Sequence, residues 1–357
     1  MSVLDYVRPE IRSMQAYKVA TVAEDFIKLD AMESPYTYVD DMQEELGKQL
    51  SQAPINLYPE PNGGGLVADL RVAFDIPAGT GVILGNGSDE LIDIVTKALS
   101  KEGATLMALE PSFVMYALSA KLHRMRYVGV SLNEDFTLNL AATLAAIEAE
   151  QPALIFIAYP NNPTGGRFER ADVEAIVKAA KGVVVVDEAY SAFSSDTFMD
   201  LAGQYDNLIV MRTLSKIGFA GLRVGYAAGA PILMDEMAKV VPPYNMNQLS
   251  IVAAKFALQY QPFILENTVR LKAERERVRT AIKAYEQIED FPSEANFITL
   301  RVPDSALLFE TLRQNKILVK HLHGAHPLLA NCVRLTIGRP EDNQAVLAVI
   351  EQLYGRT

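Results

Sequence analysis

Lys216 stands in "TLSKIGFAGLRVGY" (213–226), after a hydroxyl residue and before a glycine-containing apolar run whose single cation is Arg223. An amine in such a place can condense with a carbonyl or carry a proton, provided burial keeps it neutral. Asp187 ends a run of four valines in "GVVVVDEAY" (182–190). A carboxylate there loses its hydration and needs a cationic or protonated partner. Tyr190, three residues on, adds a phenol. In "LGNGSDELI" (84–92) a turn through Gly87 precedes Ser88, Asp89 and an amphipathic stretch. A helix starting there points free N–H groups and the positive end of its dipole at a bound phosphate, although Ser88 or Asp89 also serves as a plain helix cap. The turn lacks the third glycine of a dinucleotide fingerprint, and no G-x-x-x-x-G-K-[ST] loop occurs that would make Asp187 a Mg²⁺ ligand. In "YPNNPTGG" (159–166) Pro163 disfavours the helical conformation at Asn162 and so sets the direction of its amide, a constraint that a simple turn also meets.

These residues sit at the ends of recognisable elements. "ALIFIAYP" (153–160), "GVVVVDEAY", "NLIVMRTLSK" (207–216) and "GYAAG" (225–229) are short, apolar and β-branched, and "DELIDIVTKALSKEG" and "FERADVEAIVKAAK" between them have helical spacing. The alternation predicts an α/β domain around a mostly parallel sheet buried on both faces. In such sheets ligands gather beyond the carboxyl ends of the strands, so the endings NNPTG, DEAY and TLSK mark one candidate site. After about residue 245 the pattern changes. A charged helical stretch (265–288) leads into "NFITLRV", a helix near 304–315, "ILVKH", "CVRLTIG" and a last helix near 341–354, an order that predicts a smaller α+β domain with antiparallel pairing. We read residues 1–30 as an N-terminal arm, 31–245 as the large domain and 246–357 as the small C-terminal domain.

An imine-forming lysine, a carboxylate for a ring pyridinium, a phosphate-binding helix start and nearby hydroxyl and amide donors together fit pyridoxal 5′-phosphate (PLP). The motifs N-N-P-T-G, D-E-A-Y, T-L-S-K and A-G-L-R-x-G-Y, in this order, make the chain resemble the fold-type I, aspartate-aminotransferase-like PLP enzymes. The resemblance extends from "IRSMQAYKV" to "CVRLTIGRPEDN", and its terminal segments are most similar to the histidinol-phosphate aminotransferases.

This resemblance implies that Lys216 holds PLP through an imine and that Asp187 bonds the pyridine nitrogen. Tyr190 and Asn162 bond the ring oxygen, and Phe113 of "EPSFVMY" stacks on the ring, where the family more often has tyrosine. Gly87, Ser88, Asp89, Ser215 and Arg223 clasp the cofactor phosphate. Tyr58 of "NLYPEPNGG" reaches the phosphate of a partner subunit's cofactor, which implies a homodimer. Arg334 binds the donor carboxylate, and Tyr17 of "MQAYKV", Asn162 and Lys320 face the substrate. Lys320 stands where some relatives have arginine, so it keeps the charge and loses the fork. Lys216 and Arg223 are seven apart, one fewer than in many relatives. Singly, Phe113 and Tyr58 read as packing residues and Arg334 as a surface charge; only the joint pattern selects the functional readings. The implied reaction is transamination of L-histidinol phosphate with 2-oxoglutarate, giving imidazole-acetol phosphate and L-glutamate. An aromatic-amino-acid aminotransferase or a threonine-phosphate decarboxylase shares these motifs.

Composition excludes other classes. The chain carries 33 Lys and Arg against 44 Asp and Glu, net −11, with no basic run interleaved with aromatics, which argues against nucleic acid or an anionic membrane as partner. No apolar run reaches the ~18–20 residues of a membrane span, so the expectation is a soluble, cytoplasmic protein. The single cysteine, Cys332, reads as a buried apolar residue. "KHLHGAH" (320–326) holds three of the four histidines, but H-x-H-x-x-H without a nearby carboxylate or cysteine is not read as a metal site.

Overall fold

Residues 2–16 and 21–355 are described by the computed structural model. The strands are β1 (Ile27–Leu29), β2 (Gly81–Asn86), β3 (Thr105–Glu110), β4 (Arg126–Ser131), β5 (Leu154–Ala158), β6 (Val183–Asp187), β7 (Leu208–Thr213), β8 (Val224–Gly229), β9 (Glu289–Asp290), β10 (Phe297–Arg301), β11 (Ile317–His321) and β12 (Cys332–Thr336).

Seven of them form the large sheet in the order β2-β8-β7-β6-β5-β3-β4, with β8 alone antiparallel to its neighbours. The valines of β6 show why it is central. Val184 and Val186 join the core on one face of the sheet and Val183 and Val185 the core on the other, as the two-residue period of a strand requires. Each fully buried valine contributes roughly 1.5–3 kcal/mol of hydrophobic stabilisation, and this fixes the end of the strand where Asp187 emerges.

Register then gathers the site. Ala158 of β5 lies beside Asp187, which lies beside Met211 of β7, so the loops after β5, β6 and β7 leave the sheet at a common edge. Because β8 runs back antiparallel, with Thr213 opposite Gly225 and Asn86 opposite Val224, Arg223 is returned directly to the end of β2. The helix Ser88–Leu99 starts at that point, anchored by buried Leu91, Ile92, Ile94 and Val95.

The smaller sheet has the order β1-β11-β12-β10-β9 and is antiparallel except for β1, which pairs parallel with β11. The stretch read as an arm therefore supplies a strand to the C-terminal sheet, with Ile27 opposite Ile317. The charged helical stretch forms Gln261–Ile282, following a separate helix Gln248–Gln259. Cys332 is a buried free thiol. Among the described residues no helix is long and apolar enough to cross a membrane.

Candidate active site

Asp187 is only 4% exposed at the end of β6. Its Oδ1 accepts from the Ala189 N–H at 3.1 Å and its Oδ2 from the Tyr116 hydroxyl at 2.8 Å. Burial pushes its carboxyl up to about 6, against the pull of these two donors. Both donors are neutral, so the fold presents a buried carboxylate suited to a further, positively charged partner.

Lys216 occupies the short 3-10 turn Ser215–Ile217 after β7. Its Nζ donates to the Ala31 carbonyl at 3.2 Å and lies 5.9 Å from the centre of the Tyr190 ring. Burial, and then the positive charge of Arg334, pull the amine down to about 8; Asp89 and Glu33 act the other way, and Arg223 adds a smaller downward pull. Tyr190 is buried, and burial pushes its phenol well above the ordinary value while Arg334 pulls it back.

From the smaller sheet, Arg334 of β12 reaches across to the loop after β5. It donates to Asn162 Oδ1 at 2.5 Å and to the Asp30 carbonyl at 2.8 Å, with its guanidinium 5.2 Å from the centre of the Phe297 ring. An arginine that alone reads as a surface charge is thus 7% exposed and faces the same cleft as Lys216 and Tyr190. Lys320 is exposed and directly opposite Arg334 in the antiparallel register, which places it on the same face of the sheet at the rim.

Several residues expected at the phosphate also lie together. Gly87, at φ 79°, ends the β2 turn and Ser88 begins the helix. Arg223, at φ 52° and ψ 49°, donates through Nη2 to Asp89 Oδ2 at 3.2 Å and to the Asn86 carbonyl at 3.4 Å. The positive φ at Gly87 favours glycine, and a Cβ there would stand 2.5 Å from that same Nη2 and displace the guanidinium from its present position. Ser215 is buried with its hydroxyl 2.8 Å from Thr213 Oγ1. The seven-residue spacing from Lys216 to Arg223 brings the arginine to the helix start because the left-handed residue at 223 turns the chain straight into β8.

The Phe113 ring lies 5.7 Å from that of Tyr116 and edge-on to it, and Tyr116 in turn bonds Asp187. Tyr58 is not part of the cleft of its own chain; it is 81% exposed and stacked on Tyr244 at 4.7 Å. Tyr17 lies outside the described residues. The three histidines of 321–326 have separate local partners: His321 Nε2 is 2.9 Å from Ser305 Oγ, His323 Nδ1 accepts from Asn331 N–H, and His326 Nδ1 accepts from Leu328 N–H. Among the described residues no three His, Cys, Asp or Glu side chains are grouped to hold a metal.

Three contributors escaped the motifs. The Asp30 and Ala31 carbonyls act through backbone and carry no side-chain signal. Tyr116 did have one, since it follows Phe113 by one helical turn within "EPSFVMY", and its N–H bonds the Phe113 carbonyl at 3.2 Å.

The donor set fits PLP on three counts: a buried carboxylate whose donors among the described residues are neutral, a buried amine whose pKa is lowered to about 8, and a helix start flanked by an arginine and a hydroxyl. Comparison with known proteins agrees. The profile of the family "Aminotransferase class I and II" matches residues 24–350. A histidinol-phosphate aminotransferase of Chromobacterium violaceum is 55% identical over 99% of both chains, and one of Neisseria meningitidis is 56% identical over 99% of this chain and 98% of its own. The crystal structure of histidinol-phosphate aminotransferase from Sinorhizobium meliloti in complex with pyridoxal 5′-phosphate superposes with a TM-score of 0.86 at 21% identity, covering 99% of each chain, and shares the fold. With a matching profile over most of its length and relatives above half identity end to end, the chain belongs to the class I and II aminotransferases, and among them to the histidinol-phosphate aminotransferase family.

Proposed function

We propose that this chain uses PLP to transfer the amino group of L-histidinol phosphate to 2-oxoglutarate, giving imidazole-acetol phosphate and L-glutamate. The observation that carries the reading is the gathering of Lys216, Asp187 and Arg334 around Tyr190, in a chain whose 55–56% identical relatives bear that enzyme's name. When bound, the cofactor's protonated ring accepts the electron pair released as the substrate Cα–H bond breaks. Lys216 would hold the cofactor carbonyl carbon until the incoming substrate amine takes its place, and the freed, unprotonated Nζ would then accept the proton from Cα. Asp187 keeps the proton on the ring nitrogen. Asn162 and Tyr190 bond the ring oxygen, and Phe113 covers the ring face. The first-turn N–H groups of Ser88 and Asp89, with Gly87 allowing close approach at the N-cap and Ser215 and Arg223 beside them, would hold the phosphate.

Substrate recognition falls to Arg334, with Asn162, Lys320 and Tyr17 around it. Its planar fork suits the carboxylate of glutamate and equally two oxygens of a phosphate ester, so one side chain serves both half-reactions. Initial-rate assays with 2-oxoglutarate as acceptor test the reading. Histidinol phosphate is expected to give the higher kcat/KM as donor; a strong preference for phenylalanine would overturn it. The family identity at this level does not favour an aromatic-amino-acid aminotransferase or a threonine-phosphate decarboxylase.

The proposal includes a cytoplasmic homodimer. Exposed Ile55, Leu57 and Tyr58, together with Tyr244, form an apolar patch that a second copy would cover, bringing Tyr58 to the partner's phosphate seat. Sedimentation is expected to give a dimer, and Tyr58→Ala to weaken cofactor binding; a fully active monomer would refute both.

A further inference from the structure

We infer that Tyr116 is a positioning residue for this chemistry: its hydroxyl, hydrogen-bonded to Asp187 Oδ2 at 2.8 Å, holds that carboxylate ionised and fixed for the ring nitrogen of PLP. The inference rests on the role of Asp187 proposed above.

Tyr116 lies in the helix Met115–Leu122 and is completely buried. Its ring stacks on Phe156 with centroids 4.6 Å apart and planes within 2°, and it meets the Phe113 ring edge-on. Clamped on two sides, the ring cannot swing its hydroxyl away. Phe156 belongs to β5 and faces Val185 of β6 in register, so the platform under Tyr116 and the strand that carries Asp187 belong to one rigid sheet. Packing alone does not ask for a hydroxyl here. A phenylalanine would make the same stack, and a buried O–H costs free energy unless it is bonded. The bond it makes is to Asp187.

The balance at Asp187 shows what that bond does. Burial favours the neutral acid, and so do the negative charges of Asp89, from the helix Ser88–Leu99, and of adjacent Glu188. Against them stand two donors, Tyr116 and the Ala189 N–H. Tyr190, which follows β6, also faces Asp187 and is itself held neutral by burial. One donor on each oxygen leaves each a free lone pair. Of the two, only Tyr116 acts through a side chain. The same residue also braces Phe113, the proposed cover of the ring face, so it supports the cofactor at two points without touching it.

The test titrates cofactor-free wild type, Tyr116→Phe and Asp187→Asn with PLP and with an analogue in which C–H replaces the ring nitrogen, from about pH 5 to 9. For Tyr116→Phe the PLP dissociation constant is expected to rise roughly tenfold at neutral pH, the range of a hydrogen bond to a charged group. The acid limb of its affinity profile should move up by about one pH unit, and the analogue should bind as it does to wild type. Equal losses for both ligands, or an unmoved acid limb, would overturn the inference. If the variant melts lower, the ratio of the two dissociation constants below its melting temperature still decides, because a packing defect weakens both ligands alike. Asp187→Asn separates the two levels. If it keeps the wild-type ratio, Asp187 is not the ring-nitrogen partner and the underlying reading fails. If it changes the ratio and Tyr116→Phe does not, only the role of Tyr116 falls.

Discussion

Lys216→Ala is expected to lower kcat by roughly 10⁴-fold or more, because one side chain supplies both the covalent link and the base for the Cα proton. The tertiary structure should survive, since among the described residues Nζ makes one 3.2 Å hydrogen bond, to the Ala31 carbonyl, and otherwise costs free energy as a buried amine. The substitution opens a space between Tyr190 and Ala31 about the size of the lost propylamine segment, Cγ to Nζ. A small primary amine in solution should enter it and restore part of the rate, increasingly as pH rises and more of the added amine is neutral. Steady-state rates with and without such an amine check both points. A variant whose kcat stays within about tenfold of wild type would remove Lys216 from the chemistry.

That Lys216, Asp187 and Asn162 were legible in the sequence has a physical reason. Each follows an apolar β-branched run too short for a helix, and a run buried on both faces must end where polar residues meet solvent or ligand. The order of these endings thus points to the sheet edge at which register brings the three loops together. Arg334 was legible only by family resemblance, because a strand residue's face depends on its partner strands, here β10 and β11. The strand Ile27–Leu29 could not be read locally at all. Three residues give no period, and the pairing that makes them a strand comes from Ile317–Val319, far along the chain. The same long-range pairing seats the Asp30 and Ala31 carbonyls over Arg334 and Lys216. Arg223 shows the converse. Its short spacing from Lys216 leaves its path open in the sequence, and the antiparallel register of β8 with β2 and β7 determines where it arrives.

Asp187→Asn is expected to cost on the order of 10³-fold in kcat/KM, the range found when one member of a buried charged pair is removed. The effect on the cofactor-free fold should have the opposite sense. The folded carboxyl is raised from 3.8 to about 6, so its protonation favours folding; the stability Asp187 contributes is present below about pH 4 and is lost as pH rises through about 6. Lys216 behaves as its mirror image. With its pKa lowered from 10.5 to about 8, the charged amine disfavours the fold below about pH 8, and stability returns as pH rises from there toward 10.5. Between pH 6 and 8 both groups are therefore charged and both weigh against the empty fold. A ligand that offers a cationic ring nitrogen to one and a carbonyl to the other relieves both at once, which accounts for a site that sacrifices stability for affinity near neutrality. The melting temperature of wild type minus that of Asp187→Asn, both cofactor-free, should accordingly fall as pH rises from about 4 to about 7. A difference independent of pH across that window would mean that Asp187 is not held as a buried carboxylate, and the electrostatic account of the site would fail with it.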